Sequence, residues 1–466
     1  MGSTKYEGVI GGLLIIAYFC ALFGMISTLI FTFNLTTTHY YLVMQVFKFG
    51  GASVKDAAGI RNVAEILSRY TNQPLVVVVS AMGKTTNALE EVVQAYTQET
   101  GQALSLLNKV RTMHFTTADE LFSGDKQQRA YTDMENILAR VEEMLEKKPL
   151  AAYNFIYDQI VSAGELLATR LVSAYLNFIG IENEWLDVRQ CIKTDNTYRE
   201  ANINWEVSNW QIKEKVFPQL NEKKMLVTQG FIGATIEYFT TTLGREGSDY
   251  TAAVFANILD AEAMTVWKDV SGILSADPRL VSDAVKIPRL SYYEAVEMTY
   301  YGAQVIHPKT IKPLQNKSIP MVVRSFIEPD EPGTIIHTED TVNVKEIPPI
   351  VVIKKNQLLL NVRSKDFSFI AEENLSTIYN LFAKHRVKAN LSQNAAISFS
   401  ACVDNVPYKV EPLLDDLNEH YNERIVSDLE LITIRHYTEE TIRRFSEGRE
   451  VLLEQKGKNT VQLVVR

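Results

Sequence analysis

Short apolar runs alternate with longer stretches of helical spacing from Met44 to about Thr338. The runs are QVFKF (45–49), PLVVVVS (74–80), ENEWLDV (182–188), KMLVTQGFIG (224–233) and AMTVWKDV (263–270). Clusters of Gly, Ser, Thr and Asp follow them. A run such as VVVV carries no polar alternation, which predicts a strand buried on both faces and hence a mainly parallel sheet. Between the runs, segments such as Asp133–Lys147 and Gly164–Asn177 read as helices. Strand and helix in alternation predict an α/β fold, a doubly wound mainly parallel sheet over residues 44–338, with ligands at the carboxyl ends of its strands.

The pattern then changes. Glu328-Pro329-Asp330-Glu331-Pro332-Gly333 reads as a turn, and the polar residues 338–349, ending in Pro348-Pro349, read as a linker. Residues 350–466 predict a smaller α+β region with antiparallel pairs. Its expected strands are VVIKK, LLLNVRS, KANLS, AISFSACV, LELITIRHY and VQLVVR, and its helices lie over Glu372–His385, near Val410–His420 and over Thr438–Glu447.

Residues 1–43 do not fit this scheme. No residue from Val9 to Phe33 is charged, and that length suffices to cross a bilayer. One reading is a single N-terminal membrane anchor. The other, favoured because Met44 immediately precedes the first strand, is upstream sequence ahead of the true start. The membrane enters the picture only if residues 9–33 are part of the protein.

Composition narrows the function classes. A net charge of −9 gives no basic surface for nucleic acid. Cys20, Cys191 and Cys402 are odd in number and far apart, which points to a reducing, cytoplasmic setting and away from a disulfide framework. Neither the cysteines nor the seven histidines have metal-ligand spacing, so no protein-held metal is expected.

Candidate chemistry collects at the predicted strand ends. Lys48 closes the first run, and Gly50 and Gly51 allow close backbone approach to a phosphate. Ser80 and Thr86 lie in the loop SAMGKTTN; Gly83-Lys84-Thr85 lacks the upstream glycine of a P-loop, since that position is Val78. Glu165, in SAGE, opens a helix: it suits the helix dipole, or it captures an ammonium group. In TTTLGREGSDY, Arg245 suits a carboxylate, while Ser248 and Asp249 can cap a helix or organise a site. His307 before Pro308 reads as structural, because no Ser-His-Asp arrangement would employ it.

In this order the clusters KFGG, VSA…TN, SAGE, TTLGREGSDYTA, WKDVSG…DPR, GAQVIHP and PGTII resemble the aspartate kinases of the amino-acid kinase superfamily. The resemblance implies that ATP and Mg²⁺ serve transfer of a phosphoryl group to the side-chain carboxylate of L-aspartate. It implies Lys48 and Asp249 as catalytic residues, and Ser80, Thr86, Glu165, Arg245 and Ser248 at the acceptor. Lys48, Gly50, Gly51, Lys268, Asp269, Ile273, Arg279 and Gln304 would serve the nucleotide. Family members often carry Gly, Thr and Lys where Glu246, Lys268 and Gln304 stand. The C-terminal region resembles paired ACT regulatory domains, which bind amino-acid effectors and join subunits into homodimers or larger assemblies. Asn390 and Ala396 replace the acidic ligands of lysine-sensitive members, and Gln393 resembles the glutamine of threonine-binding ones, so threonine is expected over lysine.

Overall fold

The computed structural model describes residues 44–125, 129–223, 225–303, 306–338, 347–366 and 368–466. The uncharged stretch 9–33 and Gln304 therefore lie outside the described residues. Among the described residues no helix is long and apolar enough to cross a membrane.

Residues 44–338 supply strands β1 (Gln45–Phe49), β2 (Leu75–Val79), β3 (Glu184–Leu186), β4 (Met225–Gln229), β5 (Ile232–Ala234), β6 (Thr240–Thr242), β7 (Ala263–Lys268), β8 (Arg289–Ser291), β9 (Met321–Ser325) and β10 (Thr334–His337). Eight of them form one sheet in the order β3-β4-β2-β1-β7-β9-β10-β8. Every pairing is parallel except β9 with β10. Strand β2 explains why the pattern reads as it does. All five of its residues are buried. Leu75, Val77 and Val79 enter one core, and Val76 and Val78 enter the core on the other face. A strand sandwiched between helices has no polar side to show.

The second sheet follows, in the order β12-β13-β11-β14-β16-β15. Its members are β11 (Ile350–Ser364), β12 (Ala389–Ala395), β13 (Ser398–Asp404), β14 (Tyr421–Arg435), β15 (Val451–Lys456) and β16 (Thr460–Val465). All its pairings are antiparallel. The helices Glu372–Lys384 and Pro407–His420 bury Ile378, Phe382, Leu413 and Leu417 against it.

Three expectations need correction. KMLVTQGFIG is not one strand: it breaks at Gly230, and Ile232–Ala234 pairs with Thr240–Thr242 as a separate two-stranded ribbon. VVIKK and LLLNVRS are one strand, whose register against β14 shifts between Lys354 and Gln357, next to Asn356 at φ 54°. Strand β15 was not anticipated, because VLLEQK is mostly exposed and lies at the sheet edge.

A buried charge cluster fastens the second sheet to the first region. Ser291 caps the helix Tyr292–Tyr301 by accepting from the Glu294 N–H, which sets Glu294 in the first turn. Arg435, at the end of β14, donates to both Glu294 oxygens at 2.9 and 2.7 Å and to Glu297 at 2.6 Å. His436 Nε2 lies 3.1 Å from the same Glu294 carboxylate. Burial would raise the Glu294 carboxyl, but the His436 and Arg435 hydrogen bonds hold it down at about 2. Its folded value lies below its ordinary 4.5, so this stabilisation is full above that pH and is lost as pH falls towards about 2. Glu294→Ala leaves the Arg435 guanidinium buried without its main partner, which costs about 3–5 kcal/mol. Urea unfolding at neutral pH should show an earlier transition, and an unmoved midpoint would contradict the clamp.

Candidate active site

Strand β1 ends by delivering Lys48, and the helix Gly247–Ile258 delivers Asp249 in its first turn. Their side chains meet at 2.7 Å, with 13% and 5% of each exposed. Burial pushes the Asp249 carboxyl up, yet the charges of Lys48 and then Lys268 outweigh it and hold the group below its usual range. The aspartate is therefore ionised at neutral pH.

Gly230 allows this closeness, and two more glycines shape the loop beside Lys48. A Cβ on Gly230, just past β4, would lie 2.5 Å from Ser248 Cβ. A Cβ on Gly51 would lie 2.7 Å from the Ala81 carbonyl and 2.8 Å from that of Gly83. Gly51 thus serves packing between the β1 and β2 loops, reinforced by Gly83 N–H donating to Gly51 O at 3.0 Å. Gly50 is the one beside the ammonium: its Cβ would stand 3.4 Å from Lys48 Nζ.

Glu165 sits in the first turn of the helix Ala163–Phe178 and is 2% exposed. One carboxylate oxygen accepts a long 3.3 Å bond from Ala81 N–H, and the other has no partner. Burial pushes its carboxyl up to about 8, against the smaller pull of the Ala81 N–H. A buried carboxylate without a cation is costly, so this group is set to receive one.

Lys48, Ser80, Thr86, Glu165, Arg245, Ser248 and Asp249 all line one cavity of about 810 Å³. Sequence reasoning missed other members of its wall: Asn154, Tyr157, Thr197, Tyr198, Arg199, Phe231 and, from the second region, Arg386. Asp158 organises part of that wall. Buried and raised to about 6 by burial, it accepts from Arg199 N–H, Thr242 N–H and the Thr242 hydroxyl. Glu246 stands at φ 55°, a conformation that glycine adopts freely, and its carboxylate accepts from His307 N–H at 2.6 Å. That bond ties the Arg245 loop to the segment leading into the helix Pro308–Asn316.

Lys268, Asp269, Ile273 and Arg279 line a second cavity of about 700 Å³, walled also by Gly302, Ala303 and Ile350–Ile353 of β11. Arg279 is held by Asp277 at 2.7 Å. The charge of Lys268 reaches Asp249, so the two cavities meet electrostatically. Asn390 turns inward: it accepts from Lys354 Nζ at 2.9 Å and donates to Gln357 and Asp404 at 2.9 and 3.0 Å. Gln393 is exposed on the edge strand. Among the described residues no three His, Cys, Asp or Glu side chains cluster as a metal site.

Two cavities thus lie at the carboxyl ends of one mainly parallel sheet, one of them carrying a buried lysine–aspartate pair. The chain belongs to the amino acid kinase family, whose model matches residues 44–325, and within it to the aspartokinases. It is 32% identical over 366 residues to lysine-sensitive aspartokinase 3 of Escherichia coli (strain K12), covering 77% of this chain and 78% of that protein. It is 30% identical over 397 residues to the chloroplastic bifunctional aspartokinase/homoserine dehydrogenase 2 of Arabidopsis thaliana, of which it spans 43%. Its fold is similar to E. coli aspartokinase III solved with lysine and aspartate (TM-score 0.77) and with aspartate and ADP (TM-score 0.74). Each of those matches has 28% identity and covers 91% of this chain and 96% of that one.

The geometry at Gly230 is testable. Gly230→Ala should cost about 1–3 kcal/mol through overpacking and displace the Ser248–Asp249 turn. A kcat at least tenfold lower with folded protein by circular dichroism is expected; wild-type kcat would contradict the close approach.

Proposed function

We propose that the protein transfers the γ-phosphoryl group of ATP to the side-chain carboxylate of L-aspartate, giving 4-phospho-L-aspartate and ADP. The observation that carries this reading is Glu165, a buried carboxylate with an unpartnered oxygen in a cavity that also presents Arg245. An α-amino acid brings the cation that Glu165 lacks and the carboxylate that Arg245 lacks. Ser80, Thr86 and Ser248 offer hydroxyls for the rest of the acceptor. The relatives named above support the same substrates.

The acceptor carboxylate is ionised at neutral pH and already nucleophilic, so no strong base is needed. Lys48 neutralises charge on the transferring group, and Asp249 keeps its ammonium in place at the strand end. Gly50 lets a phosphate approach beside that ammonium. Lys268, Asp269, Ile273 and Arg279, which line the second cavity, hold the nucleotide, and Gln304 is a further expected contact to it. Mg²⁺ fits as an ion carried in by the nucleotide, since Mg²⁺ binds through phosphates with one or two carboxylates. Asp249 and Asp269 are the carboxylates available for it, and the ion would offset phosphate charge.

The region 350–466 serves as a paired ACT-like regulatory unit that binds an amino acid, with threonine favoured over lysine. Lys354 Nζ already occupies Asn390 Oδ1, so a lysine ligand's ammonium would meet a like charge there. Edge strands β12 and β15 suit pairing with a second copy into a homodimer or larger assembly.

A coupled ADP-release assay tests the reaction. Turnover is expected with L-aspartate and at least 100-fold less with L-glutamate, and Lys48→Ala should lose orders of magnitude in kcat while keeping the fold. No turnover with aspartate overturns the reading. Binding of the ammonium requires ionised Glu165, whose free-state value is about 8. The apparent kcat/KM for aspartate should therefore rise with pH up to about 8 and level above it; a profile flat from pH 6 to 9 would exclude that role. For regulation, inhibition by threonine at concentrations where lysine has none is expected, and equal inhibition by both would sink the preference.

A further inference from the structure

Arg386 belongs to the second region, yet it lines the 810 Å³ cavity with Lys48, Glu165 and Arg245. Its place is fixed locally. It follows the helix Glu372–Lys384 at φ 53°, and its N–H donates to Ala383 O at 3.1 Å, closing the helix end. Two residues on, the Lys388 ammonium lies 4.2 Å from the centroid of the Tyr300 ring. That contact seats the turn against the helix Tyr292–Tyr301. The buried Arg435–Glu294 pair holds the same two regions together.

The cations of this cavity are not equivalent. Lys48 is paired with Asp249. Arg199 lies over Tyr157, with its guanidinium carbon 4.4 Å from the ring centroid. For Arg245 and Arg386 there is no hydrogen-bonded, ionic or aromatic side-chain partner among the described residues. Of the carboxylates lining the cavity, Glu246 accepts from His307 N–H, and Glu200, exposed like Arg245 and Arg386 themselves, pairs with neither. A dicarboxylic acceptor needs a cation for each carboxylate, and Arg245 supplies one.

We propose that Arg386 is a substrate-contacting residue whose guanidinium binds a carboxylate of the acceptor amino acid, so that the regulatory region supplies part of the acceptor site. The inference rests on the aspartate reading above. The body of the nucleotide is not its ligand, because Lys268, Asp269 and Arg279 line the other cavity, in which Arg386 takes no part, and the transferring phosphoryl group is assigned to Lys48. A small movement of the second sheet against the helix Tyr292–Tyr301 then changes acceptor affinity directly, with no relay through the core.

The test is steady-state kinetics on the full chain with Arg386→Ala, Arg386→Lys and, as a control on the same helix, the exposed Lys384→Ala. A lost charge-assisted hydrogen bond predicts that Arg386→Ala raises the aspartate KM roughly 10- to 100-fold, with KM for MgATP within twofold of wild type. Arg386→Lys should recover part of the loss, and Lys384→Ala should match wild type. An unchanged aspartate KM in Arg386→Ala, or a rise confined to MgATP, overturns the proposal while wild-type turnover leaves the aspartate reading standing. A rise equalled by Lys384→Ala reveals a general disturbance of the region and also overturns it. Absence of wild-type turnover with aspartate removes both readings.

Discussion

The Lys48–Asp249 ion pair is the constraint around which the catalytic region is arranged. Two opposite charges at 2.7 Å, one nearly buried, need an exact frame. β1 supplies one and the first turn of the helix Gly247–Ile258 supplies the other, so that helix must sit hard against the strand ends. Gly230 permits the approach, and Glu246 ties the same turn to His307. The pair would hold a cation ready where phosphoryl charge develops, and the charge of Lys48, with a smaller contribution from Lys268, keeps the aspartate ionised.

A second buried charge has the opposite character. Glu165 is placed in the first turn of the helix that the SAGE segment opens, but no cation among the described residues neutralises it. Burial without a partner is tolerated because the group can stay protonated until a ligand arrives. Lys48 and Glu165 thus divide the labour in the proposed reaction: one is satisfied internally and holds its position, the other waits for substrate. The same logic separates Arg245 and Arg386 from Arg199, which is already stacked on Tyr157.

Much of this was legible in the sequence, for a physical reason. The site residues at the ends of β1, β2 and β7 follow apolar runs directly, and each stretch keeps several of them together, so Lys48, Ser80, Arg245, Asp249 and Lys268 could be named. Residues that reach the cavity only through tertiary packing left no such signal. Arg199 comes from a loop held by Asp158 from another element, and Arg386 comes from a helix end in the second region. The reading of Gly51 as a phosphate-facing glycine was incomplete, because its missing side chain makes room for Ala81 and Gly83. The separation of Lys268, Asp269, Ile273 and Arg279 into a cavity apart from Lys48, Glu165 and Arg245, and the inward turn of Asn390, also depend on packing that spacing does not encode.

The central claim is that this site makes an acyl phosphate on aspartate. Acyl phosphates react with hydroxylamine, so the most direct measurement is mass-spectrometric detection of the aspartyl hydroxamate formed when wild-type protein, MgATP and L-aspartate are incubated with hydroxylamine. The account predicts β-aspartyl hydroxamate in amounts equal to the ADP released, and none with Lys48→Ala. ADP release without hydroxamate, or hydroxamate made equally well by Lys48→Ala, would contradict it.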